Sequence, residues 1–161
     1  MSKINSGVFS SALQDWQTPW IFIEAVQKKF NVKIELDVCA DEISAKAPHF
    51  FSLKENAFTK SWDASVCWMN PPYGKALPKW LEFARDQQIR HKNLILCLVP
   101  ARTDTKWFHE IAVDGRVYFL KGSIKFEHPL KQHSTSPAFP SMLVVFGKPK
   151  GFEVWDWKRD I

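Results

Sequence analysis

The 161 residues suffice for one domain but not for two ordinary ones, and the 45% apolar content supports a packed core rather than a disordered chain. The longest apolar run, Leu94 to Val99, is far too short to span a bilayer, and Met1-Ser2-Lys3-Ile4-Asn5 has no secretory signal pattern, so a soluble, cytoplasmic protein is expected. The net charge of +5 is unevenly placed: residues 1–74 carry −1, residues 75–133 carry +5 and residues 134–161 carry +1, which suits a polyanionic partner such as DNA or, more plainly, a solvated basic surface.

Residues 1–14, rich in Ser and Asn, are expected to be loose. Thr18 reads as a helix N-cap with Pro19 at the first helical position, and Phe22, Ile23, Val26 and Phe30 follow at helical spacing. Lys33 to Val38 alternates apolar and polar residues and predicts a strand ending at Cys39-Ala40-Asp41. Glu42 to Ser61 predicts a short helix and loop with room for a short strand. Val66 to Met69 is a short apolar strand leading directly into Asn70-Pro71-Pro72-Tyr73-Gly74. A helix from Pro78 to about Gln88 follows, then a continuous apolar run, Asn93 to Val99, of the kind buried on both faces of a parallel sheet. Thr105 to Ala112 predicts a short helix, and Arg116 to Leu120 and Ile124 to Phe126 predict strands. Residues 127–140 read as a loop, Ser141 to Phe146 as the last strand, and Trp155-Asp156-Trp157 as packing on the body.

Alternating strands and helices predict an α/β fold, a mostly parallel sheet with helices on both faces, in one domain covering residues 1–161. Ligands of such sheets bind at the carboxyl ends of the strands. The two polar punctuation points, Asp37 to Asp41 and Asn70 to Gly74, fall at such ends. The three cysteines, Cys39, Cys67 and Cys97, cannot all pair and read as buried reduced thiols. No Cys or His pair has zinc-type spacing, so no metal is expected. His109 reads as structural rather than catalytic.

Asn70 precedes a proline and is pushed to an extended backbone, while Pro71 and Pro72 have fixed φ and no N–H. The loop is therefore stiff and rich in acceptors, with the Tyr73 ring beside it and Gly74 allowing a turn. Such a loop suits a planar group bearing an NH₂: the Asn70 side-chain oxygen and the Pro71 carbonyl each accept one amine hydrogen, and Tyr73 stacks on the ring. An exocyclic amine is a poor nucleophile because its lone pair is delocalised. Two fixed acceptors favour its pyramidal form and free that lone pair as attack proceeds. The matching electrophile is a methyl group on a sulfonium, which needs no metal and no covalent enzyme intermediate. The plain alternative is an ordinary proline-rich turn.

On these residues the chain resembles the phage-type DNA N6-adenine methyltransferases, small relatives of the Dam enzymes. The resemblance runs from about Asp15 to Phe146. It rests on Asp15-Trp16-Gln17-Thr18-Pro19, Leu36-Asp37-Val38-Cys39-Ala40, Trp68-Met69-Asn70-Pro71-Pro72-Tyr73-Gly74, Leu98-Val99-Pro100-Ala101-Arg102-Thr103-Asp104-Thr105-Lys106-Trp107-Phe108 and Ile124-Lys125-Phe126 in that order. It implies a Rossmann-like class I methyltransferase fold and S-adenosylmethionine as cofactor. Gln17, Thr18, Pro19, Asp37, Val38 and Cys39 would line the cofactor site, with Asp37 near its methionine part. Asn70, Pro71, Pro72 and Tyr73 would be the catalytic loop on adenine N6. The chain departs from the pattern in three places: Cys39-Ala40-Asp41 replaces the usual glycine-rich loop, the motif begins with Asn rather than Asp, and Ser123 stands where an arginine is expected.

Adenine in a duplex must be flipped out before its N6 can be methylated. Phosphate contacts would supply most of the DNA affinity, with Lys75, Arg102, Lys106, Lys121, Lys125, Lys131 and His133 as candidates. The 127–140 loop, with His128, Lys131, Gln132, His133 and Ser136, is the candidate for reading target sequence. The protein is expected to be a monomer or weak dimer, acting in a host cytoplasm if phage-encoded. The rival readings are an Asn-Pro-Pro-Tyr-type methyltransferase acting on RNA or a protein glutamine amide, and a non-catalytic DNA-binding module that kept the fold.

Overall fold

The structure, a computed structural model, describes residues 17–128 and 139–161. Seven strands form one sheet: β1 (Leu36–Asp37), β2 (His49–Phe50), β3 (Val66–Met69), β4 (Leu94–Pro100), β5 (Arg116–Leu120), β6 (Ser141–Phe146) and β7 (Gly151–Trp155). Their order is β2-β1-β3-β4-β6-β5-β7. β2, β1, β3 and β4 pair in parallel, β6 runs antiparallel between β4 and β5, and β7 pairs in parallel with β5. The chain moves outward from β1 to β2 and then returns to place β3 on β1's other side. The order therefore reverses between β1 and β3, the switch point at which such sheets bind ligands.

Strand alternation divides the core in two. Cys67, Met69, Ile95, Cys97 and Val99 face Leu77, Trp80, Leu81 and Ala84 of α2 (Leu77–His91) and Trp107 and Phe108 of α3 (Lys106–Glu110). Val66, Trp68, Leu96 and Leu98 face Phe22, Ile23 and Val26 of α1 (Trp20–Phe30) and the C-terminal Trp155 and Trp157. Helices thus cover both faces, as expected for a Rossmann-like fold. This explains why β4 reads as an unbroken apolar run: both of its faces are buried. At the helix ends, Asn31 and Lys92 adopt left-handed conformations (φ 52° and 56°) that close α1 and α2.

Four expectations need correction. Thr18 does not cap α1: Pro19 is the N-cap, without a side-chain cap hydrogen bond, and the Thr18 side chain is engaged elsewhere. The Lys33–Val38 strand reduces to Leu36–Asp37, because the Ile34 N–H is taken by the Gln27 side chain at 2.9 Å. Ile124–Phe126 is not a strand; its neighbour Glu127 makes an isolated bridge to Gln17. Trp155 ends an unexpected strand, β7, anchored to β5 through an Arg116–Glu153 ion pair at 3.0 Å. Phe22 packs against Trp157 edge-on at 5.1 Å, so the expected packing of the C-terminal tryptophans on the body is present as well. No helix among the described residues is long and apolar enough to cross a membrane.

Candidate active site

The carboxyl ends of β1 and β3 open onto one cavity of about 1180 Å³. Gln17, Thr18, Asp37, Val38, Cys39, Asn70, Pro71, Pro72 and Tyr73 all line it. Pro19 does not; it is buried at the start of α1. Three segments far apart in sequence, 17–18, 37–39 and 70–73, therefore converge on one cavity. Apolar surface comes from Phe50, Phe51, Phe58 and Trp80, the last two in contact at 4.5 Å between ring centres. The space exceeds the usual range of about 300–1,000 Å³ for small-molecule sites.

The end of β3 is tied down by hydrogen bonds. Asn70 Nδ2 donates to Thr18 Oγ1 at 2.9 Å, and the Tyr73 hydroxyl donates to Asn70 Oδ1 at 2.8 Å. The same hydroxyl lies 3.2 Å from the Leu98 carbonyl of β4. It has one proton for two acceptors, so turning that proton to Leu98 relieves Asn70 Oδ1 of its donor. Burial raises the Tyr73 phenol above its ordinary range, so it stays a neutral donor. No hydrogen bond among the described residues takes up the Pro71 carbonyl. The Tyr73 ring meets Phe139 edge-on at 5.7 Å, and Arg102 stands 5.4 Å from the Phe139 ring.

The end of β1 is organised by a buried carboxylate. Asp37 is 3% exposed; its Oδ1 accepts from the Cys39 N–H at 3.2 Å and its Oδ2 from the Lys46 N–H at 3.0 Å. These bonds fold residues 39–46 back over the strand end. Burial pushes the Asp37 pKa up to about 7, against the pull of the two N–H groups and the Lys46 charge. Lys46 itself is 6% exposed, and burial lowers its pKa, opposed by Asp37 and Glu127. Its Nζ sits 4.6 Å from the centre of the Trp20 ring. Burial raises the Cys39 thiol to about 12, so it offers no thiolate nucleophile.

Several lining residues are not marked as such in the sequence, among them the aromatic wall of Phe50, Phe51, Phe58 and Trp80, and also Lys46 and Phe139. Lys46 has no local signal, being one lysine in a polar stretch. Phe139 stood in a segment read only as a recognition loop, although its large ring beside Pro140 hinted at packing.

The candidate DNA contacts among the described residues do not line the cavity. Lys75, Arg102 and Lys125 are exposed. Lys106 pairs with Glu110 at 3.9 Å and Lys121 with Asp156 at 3.1 Å, so both are partly neutralised. Lys131 and His133, and most of the expected recognition loop, lie outside the described residues. Among the described residues no group of three His, Cys, Asp or Glu side chains is placed to hold a metal ion.

The family described as DNA N-6-adenine-methyltransferase (Dam) matches residues 6–154 of the chain. A protein named DNA N-6-adenine-methyltransferase from Haemophilus phage HP1 is 33% identical over 138 residues, covering 84% of this chain and 79% of that protein. Another of the same name, from Escherichia phage T1, is 31% identical over 128 residues, covering 69% of this chain and 52% of that protein. The match to the family spans nearly the whole sequence and includes every segment that meets at the cavity. The chain therefore belongs to the DNA N-6-adenine-methyltransferase (Dam) family.

Proposed function

We propose that this single-domain protein transfers the methyl group of S-adenosylmethionine to N6 of an adenine flipped out of DNA, with Asn70, Pro71, Pro72 and Tyr73 as the catalytic loop. The observation that carries the reading is the Asn70 amide, clamped by Thr18 and Tyr73 beside the Pro71 carbonyl, which has no hydrogen-bond donor among the described residues, in the lining of a cavity shared with the end of β1. The cavity fits the cofactor: aromatic and aliphatic side chains offer a surface for its adenosine, and the buried Asp37 and Lys46 offer opposite charges for its zwitterionic end. When bound, it supplies an activated methyl group on a sulfonium.

The protein's own part is to hold and polarise the amine. Asn70 Oδ1 retains a second lone pair beyond its bond to Tyr73 and accepts one N6 hydrogen. The Pro71 carbonyl accepts the other. Both acceptors are fixed before the base arrives, so they favour the developing pyramidal, positively charged nitrogen without reorganising. The Tyr73 ring, with Phe139 against it, forms a wall for the base. Once alkylated, N6 is a cationic, strongly acidic nitrogen that gives its proton to water, so no side-chain base is required. Tyr73, held in its protonated phenol form by burial, is not available as one.

Phosphate contacts are assigned first to Lys75, Arg102 and Lys125, which are exposed without a carboxylate partner among the described residues, and then to the paired Lys106 and Lys121. Lys131 and His133, in the 127–140 segment, are proposed to contact DNA as well. The protein is proposed to work as a monomer or weak dimer in the cytoplasm that holds its target DNA. Labelled methyl transfer offered in parallel to DNA, RNA and protein tests the reading. Label in DNA alone is expected; label confined to RNA or protein would overturn it.

A further inference from the structure

The cofactor's methionine end carries a carboxylate, and sheets of this kind often receive such an anion on a glycine-rich turn or the N-terminus of the helix after the first strand. This chain has neither. No glycine occurs between Gly7 and Gly74, and the β1–β2 connection contains turns but no helix. No bare backbone and no helix dipole is available at that point.

A side-chain cation stands there instead. Lys46 is nine-tenths buried, lines the cavity, and is fixed at the end of β1 by its own N–H bond to Asp37 Oδ2. Its ammonium makes no hydrogen bond or ion pair among the described residues; its contact is the face of the Trp20 ring. Asp37 and Glu127 attract it from beyond ion-pair distance. A desolvated ammonium with three donors and no acceptor is costly to leave unmatched, and the cavity is the direction from which an acceptor can come.

We infer that Lys46 is the anchor for the cofactor's carboxylate, replacing the missing glycine-rich turn, while Asp37 beside it faces the cofactor's ammonium. This rests on the proposed function, since it presumes that the cavity takes S-adenosylmethionine. Lys46 is a binding residue; it takes no part in the methyl transfer itself.

Calorimetric titration tests the anchor directly, using S-adenosylhomocysteine, its decarboxylated analogue and 5′-methylthioadenosine, which lacks the amino-acid end. The unsubstituted protein is expected to bind S-adenosylhomocysteine about tenfold to a hundredfold more tightly than the decarboxylated analogue, the range for hydrogen bonds to a charged group. Lys46→Met is expected to remove that preference while leaving 5′-methylthioadenosine affinity within about twofold. Equal affinity of the unsubstituted protein for the first two ligands would overturn the anchor even if Lys46→Met failed to fold. An unchanged preference in a folded Lys46→Met protein would overturn it too. Failure to bind any of the three would overturn the proposed function along with it.

Discussion

The ends of β3 and β1 border the same cavity but are built in different ways. At β3 the chemistry is contiguous: four residues, two of them prolines, fix their own backbone, and hydrogen bonds to Thr18 and Leu98 orient what remains. At β1 the chemistry is dispersed. Asp37 and Lys46 are nine residues apart, are joined by a hydrogen bond from the Lys46 backbone N–H to the Asp37 carboxylate, and have pKa values shifted by burial, Asp37 upward and Lys46 downward. A site meant to polarise a neutral amine benefits from rigid dipoles. A site meant to hold a zwitterion needs paired charges and tolerates a looser backbone.

The sharpest way to break this comparison is at Asn70. Asn70→Ala removes one of two fixed acceptors and is expected to lower kcat by about 10²- to 10³-fold, with circular dichroism and DNA affinity little changed. Steady-state kinetics checks this, and near-normal turnover would remove the catalytic role from the β3 loop.

The β1 end predicts a pH effect instead. Asp37 is ionised only above about pH 7, and Asp41 and Lys46 are its neighbouring charges. The cofactor's ammonium favours the ionised form, so affinity is fully present above that pH and declines as pH falls through it. Between pH 8 and pH 6 the affinity for S-adenosylhomocysteine is expected to fall about tenfold. Binding at neutral pH is expected to release a proton, detectable as a heat that depends on buffer ionisation enthalpy. A flat profile would dissociate Asp37 from the ligand.

Tyr73→Phe keeps the ring and removes the donor to Asn70. Losing one neutral hydrogen bond is expected to reduce kcat by about tenfold or less, a smaller loss than Tyr73→Ala, which also removes the wall for the base. Thr18→Val, which leaves Asn70 Nδ2 without its partner, is expected to reduce kcat a few-fold with KM for the cofactor nearly unchanged. A rise in cofactor KM alone would mean that Thr18 acts on the cofactor rather than through Asn70. The smallest effect is on DNA: Arg102→Ala is expected to lower the slope of log Kobs against log salt by about 1. Lys106→Ala, paired with Glu110, is expected to lower it by less.

The contrast between the two ends also explains what could be read in advance. Asn70 to Tyr73 was legible because its stiffness is local, and β4 because burial on both faces leaves an unbroken apolar run. The Thr18–Asn70 bond was not: Thr-Pro ahead of an apolar helix has the form of a cap, and only the tertiary fold brings Asn70 within 2.9 Å of it. Lys46 was hidden for the same reason, since a lysine's burial depends on what folds over it. β7 was missed because Phe152 and Val154 face outward on an edge strand, leaving only Trp155 and Trp157 to mark a buried contact.

The central claim is that the Asn70 loop directs methylation to an adenine amine. Plasmid DNA treated with the protein and S-adenosylmethionine, then digested and analysed as nucleosides by mass spectrometry, tests it most directly. The account expects N6-methyldeoxyadenosine from the unsubstituted protein and almost none from Asn70→Ala. Methylation of cytosine instead, or an equal yield of methylated adenine from both proteins, would contradict it.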